Sequence, residues 1–298
     1  MTEYVYGLLH GVDETKRIIA IKIDNKIRFF YLAKGQFTVF MAYFKPNIYV
    51  FMTVAETPRH YRGYKVQNVI NIEKVMLPNK QKPTVFYDIS IIRSGIKTIV
   101  DSGKPKLFVD FEMSMPPYRD YRTFVSEIIQ AGLVLCDGDG KVLENHSFFI
   151  KPQLFPKISE RTGKFLHIRQ EDVDSGREYG EFHSLFMKIQ ASYHPMVFVW
   201  GKNDKIELKK ANERLGLTEF TQRAQFIDLL QLHKIYFNLK NDLGLFNAYN
   251  LYSDHDLDKQ AHDAFEDASV TKDVFYWFKD TVNGNREITI PENGKPAE

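Results

Sequence analysis

The chain has 298 residues, 44% of them hydrophobic and 26% charged, which supplies ample apolar material for one large domain or two smaller ones. No apolar run approaches the roughly 20 residues of a membrane span. Glu3 and Tyr4 stand where a signal peptide would begin with basic residues, and a single cysteine, Cys136, excludes both an intrachain disulfide framework and a cysteine zinc cluster. These features predict a cytoplasmic protein without a membrane partner and leave its oligomeric state open. The net charge of +2 hides an asymmetry: residues 1–106 carry 17 Lys+Arg against 8 Asp+Glu, and the remainder 23 against 30. A basic front can attract a polyanion and an acidic back can attract cations, although solvated surfaces also show such imbalances.

In chain order, residues 4–9, 17–23 and 27–33 read as strands. Ile19, Ile21 and Ile23 alternate with Ala20 and Lys22 at period two, and Asp24-Asn25-Lys26 is turn chemistry. Residues 48–54 and 64–76 add further strands, and only 36–44 competes as a helix. Several short strands in under 80 residues predict a small all-β barrel of the OB or SH3 kind over 1–78. A polar, proline-bounded break at 77–83 follows. Asp88 can cap a short helix with Ile89, Ile92, Ile96 and Ile99 on one stripe, so 79–105 reads as a connector.

From 106 the pattern becomes α/β. Residues 107–112 form a strand, and 127–136 and 141–150 flank Asp137-Gly138-Asp139-Gly140, a hairpin signal. Residues 178–192 read as a helix and 195–200 as a buried strand. A helix over 204–215 ends at Gly216, and 226–237 and 263–280 are two more helices. Residues 283–298 are polar and turn-rich and read as a flexible tail.

Three short stretches carry candidate chemistry. In "FVDFEMS", 108–114, Asp110 and Glu112 share one face of a strand, with Phe111 on the other. Two carboxylates on a buried face need a cation between them, either a lysine or a divalent metal. In "WGKND", 200–204, Asp204 follows a strand and opens a helix. There it is either a site residue or an N-cap. In "HDAFEDA", 262–268, Ala264 and Ala268 let a helix approach a strand, and Asp263 and Glu266 are expected to face outward. His262 and Asp267 read either as site residues or as a solvated histidine and a surface acid.

In order, Asp110-x-Glu112, Asp204 and His262-x4-Asp267 resemble the DEDDh branch of the DnaQ-like 3′-to-5′ exonucleases, in particular its RNase T, KapD-like and ERI-type members. "EIIQAG" at 127–132 and "QEDV" at 170–173 resemble further segments of that family. The resemblance covers about 106–280. It implies an RNase-H-like α/β domain over 106–282, with a mixed sheet and flanking helices. It also implies two divalent ions, Mg²⁺ or Mn²⁺, and hydrolysis of single-stranded or short RNA from its 3′ end to 5′-mononucleotides. Asp110 would bridge the ions, Glu112 and Asp267 would hold the water-side ion, Asp204 would serve the other, and His262 would be the general base. Two departures concern substrate contacts. Met113 stands where many relatives carry Thr, and more residues separate Thr162-Gly163 from Gln170 than in the common form.

A 3′ terminus must enter as a single strand, held by stacking and phosphate contacts. Phe111, Met113 and Lys202 are the candidate substrate contacts, with Met115 and Lys205 beside them. The N-terminal barrel interleaves Phe29, Tyr31, Tyr43, Tyr49 and Tyr64 with Lys26, Arg28, Lys45, Arg62 and Lys65. That composition fits a nucleic-acid platform, with RNA favoured over DNA, against a protein-docking role. The alternatives to the exoribonuclease are a DNA exonuclease and a catalytically silent nucleic-acid-binding adaptor.

Overall fold

The computed structural model describes residues 1–119, 123–221, 225–239, 241–253 and 262–288. The chain forms two compact units, Met1–Ile96 and Lys97–Glu298.

The first unit contains β1 (Thr2–Asp13), β2 (Ile18–Ile23), β3 (Lys26–Tyr31), α1 (Lys34–Phe40), β4 (Tyr49–Ala55), β5 (Arg59–Tyr61), β6 (Tyr64–Leu77) and β7 (Thr84–Asp88). The β-branched and aromatic residues alternate at period two, so Ile19, Ile21, Phe30, Val50, Met52, Val54, Ile72 and Val75 all point inward. Asp24 and Asn25 adopt left-handed φ angles of 46° and 63° and turn β2 into β3. The strand order is β3-β2-β1-β4-β6-β5, and β3 also pairs with β6 in parallel over Phe29–Tyr31. The helix at 36–44 is present as α1 and a following 3₁₀ turn at Met41–Tyr43, which bring Phe37 and Phe40 into the same core.

The connector reading needs correction. Residues 84–88 are not a linker but a strand paired antiparallel with β6. Thr84, Val85 and Tyr87 pair with Leu77, Met76 and Val75, Phe86 lies at the irregularity between them, and the proline that precedes them only sets where the strand starts. The expected helix follows as α2 (Ile89–Val100), opened by Asp88, whose carboxylate accepts bonds from Ser90 N and Oγ.

The second unit contains β8 (Lys106–Met113), β9 (Ile128–Cys136), β10 (Val142–Phe149), α3 (Glu160–Leu166), α4 (Gln170–Asp174), α5 (Tyr179–Tyr193), β11 (Met196–Val199), α6 (Asn203–Arg214), β12 (Gln225–Asp228), α7 (Leu229–Phe237), α8 (Leu245–Tyr252) and α9 (Ala264–Val282). The sheet order is β10-β9-β8-β11-β12. β8–β9 and β9–β10 are antiparallel, and β8, β11 and β12 are parallel. Leu107, Val109 and Phe111 face a core shared with Phe182, Phe186 and Leu208. On the other face Phe108 packs among Phe198, Phe275 and Tyr276. Covered on both faces, β9 is buried throughout.

Two more expectations change. Residues 225–228 are not helical but form the edge strand β12, because pairing with β11 satisfies backbone groups that a helix start at 226 would leave open. Residues 283–286 are not loose: Asn283 donates to Asp101 at 2.7 Å, and Arg286 donates to the Tyr252 carbonyl at 2.9 Å and lies over Trp277. The rest of the expected tail, 289–298, lies outside the described residues.

Buried Glu127, just before β9, accepts bonds from the backbone N–H groups of Gln153, Leu154 and Phe155 at 2.9–3.1 Å and lies 3.6 Å from Arg214. It fixes the chain leaving β10. Glu127→Ala strands those donors and is expected to lower the unfolding free energy by about 2–4 kcal/mol, measured by urea denaturation.

Candidate active site

β8 leads straight into the site. Its period-two pleat places Asp110 and Glu112 on the face opposite Phe111, and both are half-buried. β11 ends beside β8, and Gly201, at φ 92°, turns the chain into α6 with its N–H bonded to Asp228 Oδ1 at 3.1 Å. Asp204 is not the N-cap of α6. Lys202 holds that position, while Asp204 sits one residue inside the helix and is buried. The backbone N–H groups of Phe111 and of Asp204 itself face its carboxylate and favour its charged form. Strand and helix therefore fix this side chain together.

α9 supplies the rest. Gly132 pairs directly with Asp110 across the β8–β9 ladder. A Cβ at Gly132 would lie 2.1 Å from the Ala264 carbonyl oxygen, so only glycine lets the first turn of α9 rest on the sheet there. Gln130, which pairs with Glu112, donates to Asp263 Oδ2 at 2.6 Å. Asp263 also caps α9 by accepting from Phe265 N and Glu266 N at 3.0 Å. Asp263 thus does not face outward as expected. Glu266 does. Ala264, Ala268 and Asp267 are buried against the sheet.

His262 precedes this cap in the left-handed conformation, φ 53°, which histidine tolerates better than most residues. Its ring packs on Phe165 of α3 with a centroid separation of 4.3 Å. Its Nδ1 is 3.9 Å from Glu112 Oε1, and one donor atom each from Glu112, His262 and Asp267 lie within 4.8 Å of one another.

The electrostatics are those of crowded acids. Burial, then repulsion from Asp204, Asp267, Glu112 and Asp263, holds the Asp110 carboxyl well above the usual range. Burial, with Asp267, Asp204 and Asp263 close by, pushes Glu112 up to about 8. Burial raises Asp204 to about 7, with Asp267 and Asp228 adding to it, although the two backbone N–H groups oppose the shift. Burial, then nearby His167, lowers His262. Three carboxylates and an imidazole with their charged forms disfavoured, and Asp267 beside them, fit a site built around a divalent cation. Oxygen donors with one nitrogen suit a hard divalent cation.

The candidate substrate contacts separate. Phe111 cannot offer its ring to a nucleotide: it is buried against Phe182 at 5.4 Å, and its backbone N–H serves Asp204 instead. Met113 ends β8, half-buried, at an irregularity in the ladder. The next turn is tied down by Thr162, whose Oγ1 accepts from Met115 N at 2.9 Å. Lys202 is exposed at the start of α6, while Lys205 lies over the Phe226 ring.

A family model described as an exonuclease, RNase T, matches residues 107–275. The chain belongs to the RNase T exonuclease family. Within it, the probable 3′-5′ exonuclease KapD of Bacillus subtilis (strain 168) is 29% identical over 170 residues, spanning 57% of this chain and 82% of the relative. Among solved structures, the nuclease domain of 3′hExo, a DEDDh family member bound to rAMP, aligns with a TM-score of 0.52 at 15% identity, over 62% of this chain and 96% of that one. A 3′-exonuclease described in 3′-end specific recognition of histone mRNA stem-loop aligns at 0.54 and 15%, over 63% and 68%. The second unit therefore holds an exonuclease domain of the RNase T family, and it shares its fold with these solved nucleases.

Some working parts of this exonuclease fold escaped the motif reading. Gln130, Gly132 and Asp263 seat α9, and Phe165 backs His262. A glycine inside an otherwise apolar strand was the available signal for Gly132. Nothing local to Phe165 points at a histidine 97 positions later.

Proposed function

We propose that the chain is a metal-dependent 3′-to-5′ exoribonuclease that releases 5′-mononucleotides from single-stranded or short RNA. The observation that carries this reading is the convergence of Asp110, Glu112, Asp204, His262 and Asp267 at the carboxyl end of the central strand β8, with three of their donor atoms within 4.8 Å. Asp110, Glu112, Asp204 and Asp267 would hold two Mg²⁺ or Mn²⁺ ions. Bound ions would supply Lewis-acid activation of water and stabilisation of the leaving 3′ oxygen.

The chain's own groups do the rest. Burial favours the neutral imidazole of His262, the form that can accept a proton from the attacking water. Phe165 fixes the plane of its ring, and the Asp263 cap fixes the backbone that presents it. Lys202 and Met113 stand as the contacts for phosphate and terminal nucleotide. His262→Ala is expected to lower kcat by about 10²- to 10⁴-fold, the usual range for loss of a general base, and to flatten the acid limb of the pH–rate profile. Single-turnover kinetics at saturating Mn²⁺ read both.

RNA is preferred to DNA because the solved 3′hExo domain was bound to rAMP and the second neighbour is described with histone mRNA; the basic first 106 residues suit a polyanion of either kind. We further infer that the N-terminal sheet is a small barrel of the OB kind that binds nucleic acid. In support, the path β3-β2-β1-β4-β6 returns on itself through the parallel β3–β6 pairs.

The test uses 5′-labelled RNA and DNA oligonucleotides with Mn²⁺, Mg²⁺ or EDTA. A metal-dependent ladder shortening from the 3′ end of RNA, lost in Asp110→Ala, supports the reading. Faster loss of DNA moves the substrate to DNA. Both nucleic acids intact under all conditions would leave a binding adaptor.

A further inference from the structure

Not all of the basic and aromatic residues of the first unit are available to a ligand. Arg28 is held by a bidentate pair with Glu3 at 2.7 and 2.9 Å, and its guanidinium also bonds Gln67. Among the core aromatics, Phe30 and Phe44 are buried. What remains gathers where β3 meets the β5–β6 hairpin.

There the rings and guanidinium groups alternate. Tyr31 and Tyr61 meet edge to face at 4.7 Å, and Arg59 lies 4.9 Å from both ring centres. Arg62 lies 5.4 Å from Tyr61, on the outside of the hairpin turn. Arg17 donates to the Tyr31 hydroxyl at 2.8 Å. Beside them Lys16 lies over Tyr64 at 4.7 Å, and Tyr64 meets Phe29 at 5.0 Å. Arg59, Arg62 and Lys65 are exposed, and the rings are half-buried. Between Glu56 and Glu73 the chain carries no acidic residue. Asp13, which pairs with Lys16 at 3.6 Å, and the adjacent Glu14 are acids at the edge of the patch.

Cation–π layers of this kind are already ordered, and a further planar group can extend them at little entropic cost. A ligand that fits must be planar on one part and anionic on another, repeated along its length. An acidic peptide supplies only the charge. We infer that this patch binds single-stranded nucleic acid, its bases stacking against Tyr31, Tyr61 and the Arg59 plane while Arg62 and Lys65 meet phosphates. The inference rests on the nucleic-acid reading of the N-terminal unit proposed above, and places it on one surface.

The experiment measures fluorescence anisotropy of the full chain in EDTA, so that no strand is cut, with labelled oligo-U of about 20 nucleotides, longer than one such domain covers. Arg62→Gln/Lys65→Gln should lower the salt slope of log K by about 1.4, at roughly 0.7 per lost phosphate contact. Tyr61→Leu should weaken binding about tenfold with the slope unchanged, the signature of lost stacking. Lys209→Gln, outside the patch, should change neither. Equal affinity and slope in all variants would overturn the proposal. So would poly-glutamate displacing the strand as well as unlabelled oligo-U of equal charge, since the surface would then read charge alone. Melting curves confirm that each variant is folded. Dinucleotide cleavage in Mn²⁺, recorded separately, tests the exonuclease reading without touching the affinity result.

Discussion

Asp110→Asn is expected to abolish cleavage and, in the same molecule, to raise the melting temperature of the metal-free protein. Loss of activity on the order of a thousandfold or more follows from removing the charge at the centre of the site. The gain in stability follows from replacing a buried carboxyl, crowded by Asp204, Asp267 and Glu112, with an uncharged group of the same volume. The sign with pH is fixed by linkage. Glu112 titrates near 4.5 when unfolded and about 8 when folded, and Asp204 near 3.8 and about 7. Between those values the folded chain holds more protons than the unfolded one, so metal-free stability falls as pH rises from about 4 to 8. The two shifts together are worth on the order of several kcal/mol.

Mn²⁺ should remove most of that slope and release protons as it binds. Thermal melts between pH 5 and 8, in EDTA and in Mn²⁺, read the effect directly. A flat metal-free curve, or an Asp110→Asn protein that melts lower than wild type in EDTA, would show that the acids are not crowded in the way the geometry describes.

Gly132→Ala is the second large effect, and it involves no chemical group. The new methyl would sit 2.1 Å from the Ala264 carbonyl oxygen, a contact that backbone cannot yield cheaply. α9 must lift from the sheet, carrying His262 and Asp267 away from Asp110 and Glu112. A displacement of about 1 Å costs roughly a hundredfold in rate, and the overpacking itself about 1–3 kcal/mol. The expected result is a folded protein with cleavage down about a hundredfold and Mn²⁺ affinity weakened, read by steady-state kinetics and by titration calorimetry. An alanine variant with wild-type kinetics would falsify the seating of α9 on β9.

The carboxylate pattern was readable because chemistry needs particular residue types, and a strand's period of two puts Asp110 and Glu112 on one face whatever surrounds them. The hairpin signal at Asp137–Gly140 placed β9 and β10, and the stop at Gly216 placed α6, each within a residue or two. Phe111 shows the limit of this reading. Its place beside two site residues suggested a substrate contact, but the alternation that exposes its neighbours buries its own ring against Phe182. β7 and β12 were missed for a different cause. Each is short, and the choice between strand and linker or helix lies with a pairing partner: β6, 7 to 14 residues earlier in register, and β11, nearly 30 residues away.

The sequence by itself thus determined the acids, the histidine and the family they belong to, because residue identity and strand period are local properties of the chain. Only the tertiary structure decided how those groups become one site. Gly132 admits α9, Gln130 and Asp263 lock its first turn, Phe111 lends a backbone N–H to Asp204, and Phe165 backs His262. Each is a contact between residues distant in sequence. Their cost or benefit depends on distances of a few tenths of an ångström, which no pattern of residue types specifies.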